Sequence, residues 1–288
     1  MSFCSDIKNE LADIKVSKCC KMPLVYGFLL FGRSFSIKSM GIQTENERCA
    51  KYYAELLKEV YDADVKITSG GQKVKTYSAK VVSETDRLRI LASVDFGMSL
   101  NLINEEAFVR ECCKASFVRG AFMACGHLTD PDKCYRADFS VKSKELADEL
   151  VSFLSHYEID AHISKRANAY TVYIKKSETV INLLTFMGAS SRSLELIEKT
   201  IIKSVKNDMN RASNCDNANI NKTVEASINQ RKAIAYLKEK NFFETLPDEL
   251  IAAANLRCEN PEMSLKELSE KSGNVTVSGL NHRLKRIM

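Results

Sequence analysis

Long apolar runs are missing from this 288-residue chain. No stretch approaches the ~18 consecutive apolar residues of a membrane-spanning helix, so none is expected. The opening MSFCSDIKNELADIK is polar and mixed in charge, and predicts no signal peptide. Ten cysteines are present, but no CxxC pair. With no export signal, this points to reduced thiols in a cytoplasmic protein and not to a disulfide framework. The four histidines show no HxxxH or Cys/His spacing. Cys19-Cys20 and Cys112-Cys113 are directly adjacent, which reads as poor geometry for joint zinc ligation, so no metal site is expected. GxGxxG, Walker-type GxxxxGK[ST] and GxSxG are missing too. SGGQK at Ser69 is read as a hairpin tip, and no cofactor or small-molecule substrate is expected.

What remains is an ordinary globular composition, 45% hydrophobic and 27% charged, long enough for about two domains. The net charge of +5 permits nucleic-acid binding without demanding it. Placement of charge matters more than its sum.

The clearest pattern is an internal repeat. CCKMPLVYGFLLFGRSFSI from Cys19 overlays CCKASFVRGAFMACGHLTD from Cys112 at a constant offset of 93 residues. Cys19, Cys20, Lys21, Val25 and Gly27 fall on Cys112, Cys113, Lys114, Val118 and Gly120, five identities in nine columns. Each copy is followed by an alternating run, an amphipathic helix, and a further pair of alternating runs. Two such halves, about 19–100 and 112–190, followed by a connecting helix, predict a pseudo-twofold α+β domain over 1–206. In the connecting helix Leu194, Ile197, Ile201 and Val205 recur at helical spacing. Gly120 and Ala124 lie one turn apart on one face, where small residues let helix backbones approach. The first copy has Gly27 but Phe31 four residues on, which predicts looser packing on that side. The hairpins offer Lys66, Lys73, Lys75, Lys165, Arg166, Lys175 and Lys176, for DNA or merely as edge protection.

Six of the fifteen residues 207–221 are asparagine, which predicts turns and a flexible linker. Residues 222–288 then read as a four-helix unit, with Val224, Ile228 and Ala235 turned inward on the first helix. Ser264 and Glu267 form a capping box, Gly273 suits a helix stop, and the last two helices read as a helix-turn-helix. On the final helix Val277, Leu280, Leu284 and Ile287 share an apolar face. Ser278, Asn281, His282, Arg283, Lys285 and Arg286 are left as candidate DNA contacts. Three Lys/Arg and no acid lie between Thr276 and Met288, as a recognition helix needs.

Helix, hairpin, helix, hairpin, twice over, resembles the LAGLIDADG homing-endonuclease fold. That resemblance implies a metal-binding acid near the end of each repeat helix. Aligned by glycine, those positions hold Gly32 and Cys125, neither of which offers the hard oxygen ligand magnesium requires. Asp130 and Asp132 lie just beyond, in what reads as a turn. SFCSDIKNELA, CCKASFVRGAFMACGHLTDPDKCYRADF, NCDNANINKTVEASINQ and SLKELSEKSGNVTVSGLNHRLKRI together resemble the WhiA family, over nearly the whole chain. The resemblance implies an α+β fold, a degenerate tandem LAGLIDADG-like domain followed by an all-α helix-turn-helix domain. It also implies a non-enzymatic transcriptional regulator tied to bacterial cell division and chromosome segregation, and to sporulation in some relatives. The expected partner is double-stranded DNA, with a transcription or division protein as a further partner, at the nucleoid and away from membranes. Two alternatives are a residual metal-dependent DNA nuclease and a scaffold contacting the transcription machinery.

Overall fold

The computed structural model describes residues 2–71, 74–94, 102–105, 108–166 and 169–288. Lys73 and the side chain of Arg166 lie outside the described residues. Two compact units divide the chain, Met1–Ile202 and Lys203–Met288.

The first unit opens with α1 (Phe3–Asp13), then runs through two copies of one motif. The first copy is α2 (Lys18–Phe31), β1 (Ser34–Phe35), β2 (Met40–Thr44), α3 (Glu47–Tyr61), β3 (Val65–Gly70), β4 (Thr76–Val81) and α4 (Glu84–Val94). The second is α5 (Glu111–Cys125), β5 (Gly126–Leu128), β6 (Ala137–Val141), α6 (Lys144–Ser155), β7 (His162–Arg166), β8 (Ala169–Ile174) and α7 (Ser177–Met187). The strands make two antiparallel sheets in the orders β1-β2-β4-β3 and β5-β6-β8-β7, the same topology twice.

α2 and α5 are buried nearly all round, from Leu24 to Phe31 and from Ser116 to Ala124. Only a helix enclosed by its neighbours is buried on every face. Their crossing is reciprocal. A Cβ on Gly27 would overlap the Phe117 carbonyl oxygen and stand 2.8 Å from the Ala121 nitrogen. A Cβ on Gly120 would overlap the Leu24 carbonyl oxygen and stand 3.0 Å from the Phe28 nitrogen. Leu24 and Phe28 are the repeat equivalents of Phe117 and Ala121. The first copy thus packs as tightly as the second, which corrects the expectation based on Phe31. That side chain is buried among aromatic neighbours, edge-on to Phe117 at 6.0 Å, and does not hold the helices apart. Ala124 is buried near the end of α5.

α8 is a single helix from Ser190 to Glu239. The flexible linker expected at 207–221 is therefore corrected to helix. Asparagine costs only about 0.7 kcal/mol per helical residue against alanine. Residues 189–246 contain neither glycine nor proline to break the run. The inward faces are corrected as well. Leu194, Ile201, Val205, Val224 and Ile228 are exposed, as is Ala235, whereas Ser193, Leu196, Ser227, Gln230 and Ile234 are buried.

In the second unit α9 (Asp248–Glu259), α10 (Leu265–Ser272) and α11 (Val277–Ile287) follow a short 3-10 turn at Phe243–Thr245. They close with α8 over a small core of Ile234, Leu250, Ala253, Ala254, Leu268, Leu280, Leu284 and Ile287.

Candidate nucleic-acid interface

The second unit holds its last helix by polar fixtures. Arg257, in the last turn of α9, is 1% exposed and donates from Nη1 to the Met263 carbonyl at 2.6 Å. Burial lowers its pKa from the usual arginine value, but a guanidinium remains charged. It pins the α9–α10 connection from inside. α10 starts on a capping box: the Ser264 hydroxyl accepts from the Glu267 amide at 3.3 Å, and the Glu267 carboxylate accepts from the Ser264 amide at 2.7 Å. That backbone hydrogen bond holds the Glu267 carboxyl below its ordinary pKa. Gly273, at φ 71°, ends the helix in the left-handed region that glycine adopts without strain. The turn is then tied by Ser269 Oγ donating to the Val275 carbonyl at 2.5 Å. Thr276 caps α11, its hydroxyl accepting from the Gly279 amide at 3.2 Å.

On α11 the structure buries Leu280, Leu284 and Ile287. Val277 is 42% exposed and does not complete that face, a correction; it sits in the first turn, outside the α9–α10 packing. Ser278, His282, Lys285 and Arg286 are exposed and Asn281 is half-buried. At about 100° per residue these five occupy one sector of the helix, opposite the core. Arg283 differs: it is half-buried and pairs with Glu249 of α9 at 3.1 Å. It is committed to a helix–helix contact and is not part of the free face. The other exposed positive charges of this helix meet no ion pair among the described residues.

Gly32 and Cys125, where the resemblance read from the sequence leads to an expectation of acids, both lie in the first unit. Gly32 follows α2 and Cys125 ends α5. Both line a cleft of about 700 Å³. Its charged lining is Lys8, Arg33, Lys75 and Lys142, with Glu45 as the one acid among the described residues. Burial pushes the Cys125 thiol up to about 12, so it stays neutral. Burial also lowers the Lys142 pKa. At these two positions a neutral thiol and a glycine offer a magnesium ion no hard oxygen ligand. The four cations come from four separate segments of chain, so no sequence spacing links them. Asp130 and Asp132 point elsewhere. The Asp130 carboxylate accepts from the Asp132 amide at 2.9 Å inside a turn, and Asp132 pairs with Lys199 at 3.3 Å.

Of the hairpin lysines, Lys75, Lys165 and Lys175 lie over the rings of Tyr77, Tyr170 and Tyr173, and Lys176 pairs with Asp160 at 3.3 Å. Lys66 is exposed. Much of this charge is stacked along its own sheet.

Comparison with known proteins agrees with the two-unit architecture. Residues 114–206 match the WhiA LAGLIDADG-like domain, and residues 209–288 match the WhiA C-terminal HTH domain. The chain is 32% identical to a probable cell division protein WhiA of Bacillus velezensis, over 100% of this chain and 95% of that protein. It is 33% identical to the protein of the same description from Caldicellulosiruptor saccharolyticus, over 100% and 94%. Among solved structures, full-length DUF199/WhiA from Thermatoga maritima superposes with a TM-score of 0.63 at 24% identity, over 100% of this chain and 96% of that one. An N-terminal LAGLIDADG domain of DUF199/WhiA gives 0.52 at 19% identity, over 65% of this chain and 92% of that one. No helix among the described residues is long and apolar enough to cross a membrane.

Proposed function

The chain belongs to the WhiA family, and from that premise we propose that it is a non-enzymatic DNA-binding protein that regulates transcription in bacterial cell division and chromosome segregation. The reading rests on one observation: a capped helix-turn-helix presents a last helix whose outward face is basic and acid-free. The name shared by the relatives supports the division role, and the helix-turn-helix supports double-stranded DNA as the partner at the nucleoid.

Ser278, Asn281 and His282 lie toward the N-terminal half of α11, the part that enters the major groove in this motif. Asparagine can pair bidentately with adenine. Lys285 and Arg286 lie further along, where phosphate contact fixes register without reading sequence. Gly32 and Cys125 leave the first unit with packing in place of metal-assisted hydrolysis. Its cationic cleft suits an anion better than a metal.

The test is a binding titration of the full chain on duplex DNA at several salt concentrations, with and without magnesium, followed by inspection of the DNA. Binding without cleavage is expected, and genomic sites should cluster near division genes in chromatin mapping. Metal-dependent cleavage would favour a nuclease. Cleavage lost in Asp130→Asn/Asp132→Asn would place displaced acids in the turn. Undetectable binding at low salt would favour a protein scaffold.

A further inference from the structure

Four cysteines that look incompatible with a shared ligand in the sequence meet in the fold. Each doublet sits in the first turn of a central repeat helix, Cys19-Cys20 on α2 and Cys112-Cys113 on α5. Side chains in a first turn lean back past the helix end. Because α2 and α5 cross about the pseudo-twofold axis, the two ends converge. All four sulfurs lie within 4.8 Å of one another, and Cys19 Sγ and Cys20 Sγ are 3.8 Å apart. The objection from adjacency considered each doublet alone, and the symmetry removes it.

We propose that Cys19, Cys20, Cys112 and Cys113 form a tetrathiolate site for one soft divalent metal ion, zinc by preference, bridging the two halves of the repeat. Tetrahedral zinc–thiolate bonds of about 2.3 Å place the sulfurs roughly 3.8 Å apart. The doublet already has that spacing, and the widest pair needs to close by about 1 Å. The same distances leave room for one ion and none for an iron–sulfur cube. Zinc would displace four thiol protons to solvent and accept four sulfur lone pairs, giving a site of net charge −2.

The surroundings fit. Ser17 stands at the N-cap position of α2 but makes no side-chain cap to the backbone. Its hydroxyl instead lies 3.1 Å from Cys20 Sγ, as donor, and 3.3 Å from Cys19 Sγ. A hydroxyl turned from a cap to the sulfurs is what an outer-shell partner of thiolate ligands looks like. Arg110, at the same place on α5, makes no cap either. Two uncapped helix N-termini therefore face the cluster, and their dipoles favour thiolate. Cys20 and Cys113 are buried while Cys19 and Cys112 are exposed, so an ion can enter from solvent.

The experiment takes the full chain, purified under reductant, and measures metal content and cobalt(II) titration spectra. One equivalent of zinc per chain is expected, and cobalt should give the absorption bands of a tetrahedral thiolate site. Cys19→Ser/Cys112→Ser should lose both, with the circular dichroism unchanged. Ser17→Ala should bind roughly 10- to 100-fold more weakly. Cys134→Ser/Cys215→Ser, at exposed thiols elsewhere, should bind like the original chain. A folded, reduced chain giving no cobalt–thiolate bands overturns the proposal, as do bands that survive Cys19→Ser/Cys112→Ser. Should that double variant fail to fold, alkylation mapping of the original chain decides. Zinc should protect the two doublets while Cys134 and Cys215 still react, and equal labelling with and without zinc overturns the site.

Discussion

The two units solve the problem of holding a helix in opposite ways. In the first, α2 and α5 are locked by backbone against backbone, glycine over carbonyl from both sides, inside a continuous aromatic and aliphatic core. In the second, α11 packs Leu280, Leu284 and Ile287 against five buried apolar residues of its neighbours and is positioned by a buried guanidinium, a capping box and two hydroxyls. The difference shows where each unit tolerates change. The first leaves no room for a side chain at Gly27 or Gly120. The second has a thin core, and its fixtures set the angle at which one face meets a partner.

The sharpest way to break the contrast is at the glycine crossing. Gly120→Leu should prevent the first unit from folding, and Gly120→Ala should destabilise it by about 1–3 kcal/mol or more, because the neighbour is a carbonyl that cannot rotate away. Gly27→Ala should match it, since the contact is reciprocal. Calorimetry of the full chain would show this, and an unmoved first transition would mean that the helices do not meet there. In the second unit Arg257→Ala should cost roughly 2–4 kcal/mol, from a cavity and unmet carbonyls. The loss should appear in a separate transition and should weaken DNA binding.

Changes on the free face should spare stability and alter recognition. Asn281→Ala should cost about 1–3 kcal/mol of binding at a preferred site and little elsewhere. Lys285→Ala/Arg286→Ala should weaken all duplexes alike and lower the salt slope by up to about two. Titrations on specific and random duplexes separate the two classes. Full-strength binding by a chain ending at residue 221 would place recognition outside α9–α11.

The smallest effect concerns pH. The Glu267 carboxyl is depressed, so its contribution is complete above the unfolded value, near 4.3, and fades as pH falls through the lower folded value. Glu267→Gln keeps an acceptor for the cap but cannot titrate. Its second-unit transition should therefore lose less between pH ~5 and ~3 than that of the original chain.

Much of the fold was legible because repetition is a strong signal. Five identities at one offset located α2 and α5, and alternation located the hairpins. In the 50-residue α8 only the stretch 207–221 and the buried face depart from what the sequence suggests, for two reasons. Asparagine-rich segments suggest turns, although the lack of glycine and proline was the better guide. A helix with few buried residues also gives periodicity little to report, so Val224 and Ile228 suggested the wrong phase. The polar face of α11 was legible from helical spacing, except for Arg283, whose partner Glu249 lies on another helix. The cleft cations had no local signature because they come from four separate segments, and the cysteine doublets were visible at the repeat offset while their meeting was not, since the pseudo-twofold brings them together.

The reciprocal glycine joint also sets a schedule for biosynthesis. The Leu24–Phe31 stretch of α2 leaves the ribosome apolar on every side, and its partner follows 93 residues later. At 5–20 residues per second that interval is roughly 5–19 s. Throughout it, the nascent first half carries an uncovered helix that neither α3 nor its own sheet can enclose. Trigger-factor-like holdases would find their substrate there, and slowing translation between the repeats should raise aggregation before it alters anything in the finished protein.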